Sequence, residues 1–102
     1  MKIEVSAVVT NDFMPDVFFT KELESGIVYR GVMALRLQDA FERGRQERIV
    51  HDEVFIRGDV FESDLSMWTL GKWLRLQISL RGGVVDEGVT LWVEDANEIA
   101  RG

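Results

Sequence analysis

The amino-acid sequence predicts an α+β domain in which an antiparallel sheet of four or five strands carries one main helix, over about residues 28–43, on one face. Apolar and polar residues alternate in several segments, which is typical of half-buried strands. The run from Ala34 to Arg43 consists mostly of residues with high helix propensity, which favours a helix there. At 102 residues the whole chain, 1–102, is expected to form a single domain with one core.

The first strand is predicted within the first ten residues, where Ile3, Val5 and Ala7 share one face and polar residues share the other. Residues 11–16 follow with the only proline of the chain and predict a turn. A short second strand is predicted at 17–20, before another polar connection.

The segment 27–44 fits two patterns. Helical spacing aligns one set of apolar residues along a stripe: Tyr29, Met33, Leu37, Ala40 and Phe41. Alternation aligns another set on one face of a strand: Ile27, Tyr29, Met33, Leu35 and Leu37. Helix propensity favours a helix that ends at Gly44 as its C-terminal cap, while a strand at the start of the segment is left open.

Between this helix and the C-terminal hairpin the pattern is weaker. Residues 54–61 alternate around Gly58 and predict a strand with a bulge or bend. Residues 63–71 predict a loop or a single helical turn with Ser63 as its N-cap. The last residues, 96–102, are expected to form a short tail with a final helical turn.

The C-terminal hairpin has the clearest pattern. Its first strand places four apolar residues on one face: Leu74, Leu76, Ile78 and Leu80. A two-residue turn at Gly82-Gly83 then sets Trp73 opposite Trp92 on the other face. Apolar residues of the two strands also meet on the first face, which supports this register.

Trp73 and Trp92, together with Arg75, form the predicted partner-binding surface, because Trp and Arg are enriched at interface hot spots. The partner is expected to be another protein or a second copy of the chain in a homodimer. In the alternative, other aromatic residues of the same chain cover the two indoles: Phe13, Phe18, Phe19 or Trp68.

Arg43, Arg45 and Arg48 form the one basic cluster of an acidic chain. Guanidinium groups at this density could hold a phosphate or a carboxylate through paired hydrogen bonds, which predicts an anion-binding site. In the alternative, these arginines pair with Glu42 and Glu47 at a solvated helix end.

The arginine cluster, followed by Asp64-Leu65-Ser66, resembles the PilZ-type cyclic-dinucleotide-binding domain over about a quarter of the chain. The resemblance implies a small-ligand or anion-binding domain. The spacing Arg45-x-x-Arg48 is one residue shorter than that family's pattern, and Thr69 stands where the family has a glycine.

Composition and motifs exclude several chemistries. A net charge of −6 disfavours direct binding to nucleic acid or to anionic membranes. The absence of cysteine removes disulfides and thiolate chemistry. His51, beside Asp52 and Glu53, is the only candidate for acid–base or metal chemistry, and one histidine without a nucleophile motif predicts neither an enzyme, nor a metal site, nor a cofactor.

No segment approaches the ~20 apolar residues of a membrane-spanning helix, and no signal peptide is recognised, so a cytoplasmic location is expected.

The sequence therefore predicts a small, acidic, non-enzymatic protein-binding module, such as a regulator, an inhibitor or an immunity-type partner, acting through the tryptophan face of its sheet. The alternative is a small-ligand or anion-binding domain that uses the arginine cluster.

Overall fold

The structure is a computed structural model of the chain and describes residues 2–18, 27–38, 47–82 and 88–100. The described residues form these strands: β1 (Lys2–Val8), β2 (Asp16–Phe18), β3 (Val28–Gln38), β4 (Glu47–Arg57), β5 (Trp73–Gly82) and β6 (Val89–Ile99). A short helix, α1 (Gly58–Glu62), and a 3₁₀ turn (Leu65–Trp68) lie between β4 and β5.

Five of these strands close into a barrel. β1 pairs antiparallel with β5 on one side and with β3 on the other, while β3 pairs with β4 and β5 pairs with β6 in the same antiparallel sense. A short parallel pairing between β4 and β6, at residues 54–56 and 91–93, completes the ring. β2 extends the sheet beside the start of β3. The prediction of an α+β fold is therefore wrong, because the chain folds as a closed five-stranded β-barrel.

The main helix predicted over residues 28–43 is absent from the described residues, where 28–38 form β3. β3 pairs with β4 along its whole length, from Val28 opposite Arg57 to Gln38 opposite Glu47. Its inward side chains, Met33 and Leu35, are buried in the barrel core. Helix propensity differs by less than about 1 kcal/mol per residue among ordinary side chains, so burial and cross-strand pairing override it.

The first strand is confirmed, since Ala7 is buried and Ile3 and Val5 pack against the core. The bend predicted at Gly58 is the start of α1. The turn predicted with Ser63 as its N-cap is capped instead by Asp64. The Asp64 carboxylate accepts a hydrogen bond from the backbone amide of Ser66.

The C-terminal hairpin has the predicted faces but another register. Leu74, Leu76 and Ile78 are fully buried, as alternation predicts. Gly82 pairs with Val89, so the connection is longer than two residues. The predicted tail continues as strand, because β6 runs to Ile99.

The barrel interior is filled by inward side chains, among them Met33, Leu35, Val54, Ile56, Leu74, Leu76, Ile78 and Val93. An aromatic group packs against this core from beside α1 and the 3₁₀ turn. The ring centroids of Phe13 and Trp68 lie 5.9 Å apart, and those of Phe61 and Trp68 lie 5.5 Å apart. Each fully buried Leu or Ile contributes ~1.5–3 kcal/mol, so the interior is a major source of stability.

Candidate functional site

A row of four outward side chains crosses the barrel. Strand pairing sets Arg30 of β3 opposite Phe55 of β4, Phe55 opposite Trp92 of β6, and Trp92 opposite Ser79 of β5. The neighbours of Phe55 and Trp92 along each strand, such as Val54, belong to the barrel core. Because side chains alternate along a strand, Phe55 and Trp92 therefore lie on the outside of the barrel.

The two aromatic rings of this row are stacked. Their centroids lie 5.1 Å apart with 19° between the ring planes. Phe55 and Trp92 are each 1% exposed and form a small buried cluster with Val28, separate from the barrel interior. The indole nitrogen of Trp92 donates a hydrogen bond of 2.7 Å to the Thr90 hydroxyl, which in turn donates to the Arg81 carbonyl. This outer pair is therefore packed and its polar atom is satisfied.

Two arginines and one carboxylate lie beside the stacked pair. The Arg81 guanidinium lies over the Trp92 ring at 4.6 Å from its centroid, within the range of a cation–π interaction. Its Nη2 donates to Glu94 Oε1 at 2.7 Å. Arg57 Nη1 lies 3.9 Å from Glu94 Oε2. We define the aromatic face as Phe55, Trp92, Arg57, Arg81 and Glu94.

Glu94 lies where the pairing register between β5 and β6 shifts. Ile78 pairs with Val93 and Gln77 pairs with Asp95, so Glu94 has no opposite residue on β5 and forms a β-bulge. Ser79 Oγ donates to Glu94 Oε1 at 2.6 Å. Burial raises the pKa of the Glu94 carboxyl, but the hydrogen bonds from Ser79 and Arg81 and the charges of Arg81 and Arg57 together lower it below its usual value. Glu94 is therefore held ionised between the two arginines.

The aromatic face offers two kinds of contact to a ligand. The side chains of Arg57 and Arg81 are 53% and 40% exposed, so both guanidinium groups reach solvent. A guanidinium group binds phosphate through its edge and stacks on planar rings through its face. The arrangement thus combines charge-assisted phosphate binding with a planar stacking surface.

The structure separates the two predicted tryptophans. Trp73 lies opposite Ile99, six residues along β5 from Ser79, the partner of Trp92. The prediction that the two tryptophans face each other across the strands is therefore wrong. The Arg36 guanidinium, and not Arg75, lies over the Trp73 ring at 5.8 Å.

Arg75 lies on the outer face of β5 and pairs with Glu4, with its Nε 3.3 Å from Glu4 Oε1. At ~3.3 Å per residue, the six positions between Arg75 and Arg81 correspond to about 20 Å along the strand. Arg75 and Trp73 are thus remote from the aromatic face, while Trp92 is at its centre.

The predicted anion site lies largely outside the described residues. Arg43 and Arg45 belong to the segment 39–46, which the structure does not describe. The backbone of Arg48 lies in β4 opposite Leu37. The prediction that these three arginines bind an anion therefore stays untested.

His51 Nδ1 lies 3.6 Å from Asp12 Oδ2, at the exposed surface of β4. Asp52 accepts a hydrogen bond from the next backbone amide, while Glu53 pairs with Arg30 at 3.9 Å. The three consecutive residues therefore have separate partners. In the described ranges 2–18, 27–38, 47–82 and 88–100, no group of three or more His, Asp or Glu side chains could hold a metal ion.

Sequence reasoning missed Phe55, Arg57, Arg81 and Glu94. Alternation around Val54 and Ile56 could have placed Phe55 and Arg57 on the outer face of a strand. No local signal brings β4 beside β6, because their parallel pairing depends on closure of the barrel. The site could therefore be found only from the fold.

No family model matches the chain, and no curated protein sequence matches it. Among solved structures, the chain is similar to the wild-type single-stranded DNA binding protein from Thermus aquaticus, with a TM-score of 0.53, 20% sequence identity and 96% of this chain covered. A deletion variant of the same Thermus aquaticus protein gives a TM-score of 0.49 at 22% identity over the same share of this chain. The chain spans 50% of the length of each of these two chains. None of the helices in the described part of the chain is long and apolar enough to cross a membrane.

The wild-type structure, together with the strand order of the barrel, shows the fold: a five-stranded barrel of the OB type. A PilZ-like domain and an α+β protein-binding regulator are therefore wrong predictions. The expectation of no direct nucleic-acid binding is also contradicted, because the similar wild-type structure is of a single-stranded DNA binding protein.

Proposed function

We propose that the chain binds single-stranded nucleic acid on its aromatic face, without catalysis. The observation that supports this most is the Arg81–Trp92–Phe55 stack on the outside of a barrel of the OB type. Nucleic-acid-binding OB-folds use the outer surface of the barrel for oligonucleotides. The similar Thermus aquaticus structure is a single-stranded DNA binding protein, which agrees with this assignment.

The proposed contact is a layered stack. Trp92 and Phe55 are buried, so their rings support the site from beneath. One face of the Arg81 guanidinium lies on the indole, and a base would stack on its other face. Unpaired bases stack on arginine planes as well as on aromatic rings, whereas a base in a duplex is already stacked on its neighbours. The site is therefore expected to prefer single strands.

The charge of the face limits affinity. Arg57 and Arg81 provide two positive charges, but the chain as a whole carries −6. Each phosphate contact to a single strand releases about 0.7 counterion, so two contacts give only a shallow dependence of affinity on salt. Binding is thus expected to be modest and best measured at low ionic strength. A cytoplasmic location stays a prediction from the sequence.

The test is fluorescence anisotropy of a labelled oligo-dT strand and of its duplex form, titrated with the protein at low salt. Base–aromatic stacking is worth roughly 1–3 kcal/mol per base, so Arg81→Gln, which removes the upper layer of the stack, should weaken single-strand binding about tenfold or more.

The matched control is Arg75→Gln, which removes an arginine with an ion pair from the outer face of the same strand and changes the net charge equally. Equal losses in the two variants would reduce the effect to net charge and contradict the proposed site. No binding of either nucleic acid by the wild-type chain would contradict the function.

A further inference from the structure

We propose that the Glu94 carboxylate competes with the phosphates of a bound nucleic-acid strand for Arg57 and Arg81. When the nucleic acid binds, a phosphate replaces the Glu94 carboxylate on these two arginines. This inference rests on the proposed function and adds how the same site is regulated. It follows from the position, the burial and the contacts of one carboxylate.

Glu94 differs from the other acidic partners of arginine and lysine in its burial. Its side chain is 16% exposed. The carboxylates of Glu4, Glu98 and Asp59, which pair with other basic side chains, are 54%, 48% and 67% exposed. Surface ion pairs exchange freely with solvent ions and contribute little, whereas a partly buried pair is screened less and persists.

The contacts of Glu94 fill the places that a phosphate would take. Arg81 at 2.7 Å and Ser79 at 2.6 Å both donate to Oε1, and Arg57 lies 3.9 Å from Oε2. Arg57 has a second carboxylate partner in Asp59, at 3.1 Å. A phosphate brought to the edge of Arg81 meets an anion already there, and juxtaposed like charges across an interface are strongly unfavourable.

The β-bulge holds Glu94 in this position. Without an opposite residue on β5, Glu94 is the extra residue of β6, and bulges of this kind re-aim a side chain. Its carboxylate fixes the Arg81 guanidinium on the Trp92 ring, so the stack is formed before a strand arrives. Glu94 therefore preorganises the stacking surface and reduces its attraction for phosphate.

The test is Glu94→Gln, which keeps the shape of the side chain and removes its charge. We expect about tenfold tighter binding of oligo-dT than in the wild type and a steeper decrease of affinity with salt, because the arginines then meet phosphate without an internal competitor. The control is Glu98→Gln on the same strand, which removes a carboxylate paired with Lys72 and changes the net charge equally.

A second measurement uses the wild-type chain and does not depend on how well the variant folds. The carboxyl resonance of Glu94 is titrated with acid by NMR, with and without bound oligo-dT. When a phosphate replaces the Glu94 carboxylate, Glu94 loses its hydrogen bonds from Ser79 and Arg81. The pKa of Glu94 should therefore rise when oligo-dT is bound.

The outcomes separate the two proposals. If oligo-dT binds and Arg81→Gln weakens its binding more than Arg75→Gln does, the function stands. An unchanged Glu94 titration, or equal affinities of the Glu94→Gln and Glu98→Gln variants, then overturns the exchange alone. Absence of binding by the wild type at low salt overturns both.

Discussion

Gly31 lies on β3 where the barrel interior meets the aromatic group beside α1, and an added methyl group should destabilise the fold. A Cβ built at Gly31 would lie 2.7 Å from Cε2 and 2.8 Å from Cδ2 of the Phe13 ring. Real Cβ atoms essentially never approach other atoms that closely, so the ring has to move. Phe13 cannot move freely, because it is 9% exposed and stacks on Trp68 at 5.9 Å.

The magnitude follows from overpacking of a buried site, which costs ~1–3 kcal/mol. For a domain of this size, 1 kcal/mol corresponds to about 4–8 °C in melting temperature. Gly31→Ala should therefore lower the melting temperature by roughly 5–20 °C and reduce the free energy of unfolding in urea. The control is Gly82→Ala at the end of β5, where a Cβ would meet nothing within 4 Å and stability should change by less than ~0.5 kcal/mol.

A double-mutant cycle identifies the clashing partner. Phe13→Val removes the two ring atoms that the new methyl group meets, so Gly31→Ala should cost at least about 1 kcal/mol less in the Phe13→Val background than alone. Independent, additive effects of the two substitutions would refute the reasoning. So would a melting temperature for Gly31→Ala equal to that of Gly82→Ala.

Two further predictions concern ionisable groups. Tyr29 is the only tyrosine, and its hydroxyl donates to Glu62 at 2.7 Å, which raises the pKa of Tyr29 above 10.0. A spectrophotometric titration should show Glu62→Gln lowering that pKa, with Glu53→Gln as the unchanged control; equal titrations would exclude the contact in solution. The pKa of Glu94 is lowered in the folded chain from its usual 4.5, so the carboxylate stabilises the fold above that pH and this contribution is lost as pH falls through the lower folded pKa. The difference in unfolding free energy between the wild type and Glu94→Gln should therefore shrink below about pH 4.5, and a constant difference would contradict the lowered pKa.

Alternation in the sequence identified which residues of the hairpin face inward, while the register could not be read from it. For residues 78–82 of β5, the predicted partners in β6 have residue numbers six short of the observed ones, as in Trp92 paired with Ser79 and not with Trp73. For residues 73–77, beyond the bulge, they are seven short, as in Trp73 paired with Ile99. A shift of six residues keeps the side chains of the first group on their faces, so the apolar pattern cannot distinguish the two registers there. Beyond the bulge the shift is odd, and Leu74 lies opposite Glu98. Only the longer connection between Gly82 and Val89 and the bulge at Glu94 distinguish them.

The sequence of β3 predicts a helix as well as a strand because its residues satisfy both periods. Tyr29 and Met33 lie on one side of either element, and the helix formers that follow favoured the wrong alternative. The deciding contribution is pairing with β1 and β4, whose residues lie outside the segment itself. A local sequence pattern does not contain the energy of cross-strand pairing, so helix propensity alone predicts the wrong element.

Net charge does not predict nucleic-acid binding here, for a related reason. A net charge of −6 sums over the whole chain, although charges farther apart than ~10 Å are largely screened at 0.1 M salt. What a nucleic-acid strand would meet is local: the β5–β6 hairpin sets Arg81 over Trp92, and closure of the barrel between β4 and β6 adds Arg57. The same closure brings Glu94 between the two arginines. Under the proposed function, the balance between these three charges, and not the total, decides whether this face accepts a phosphate.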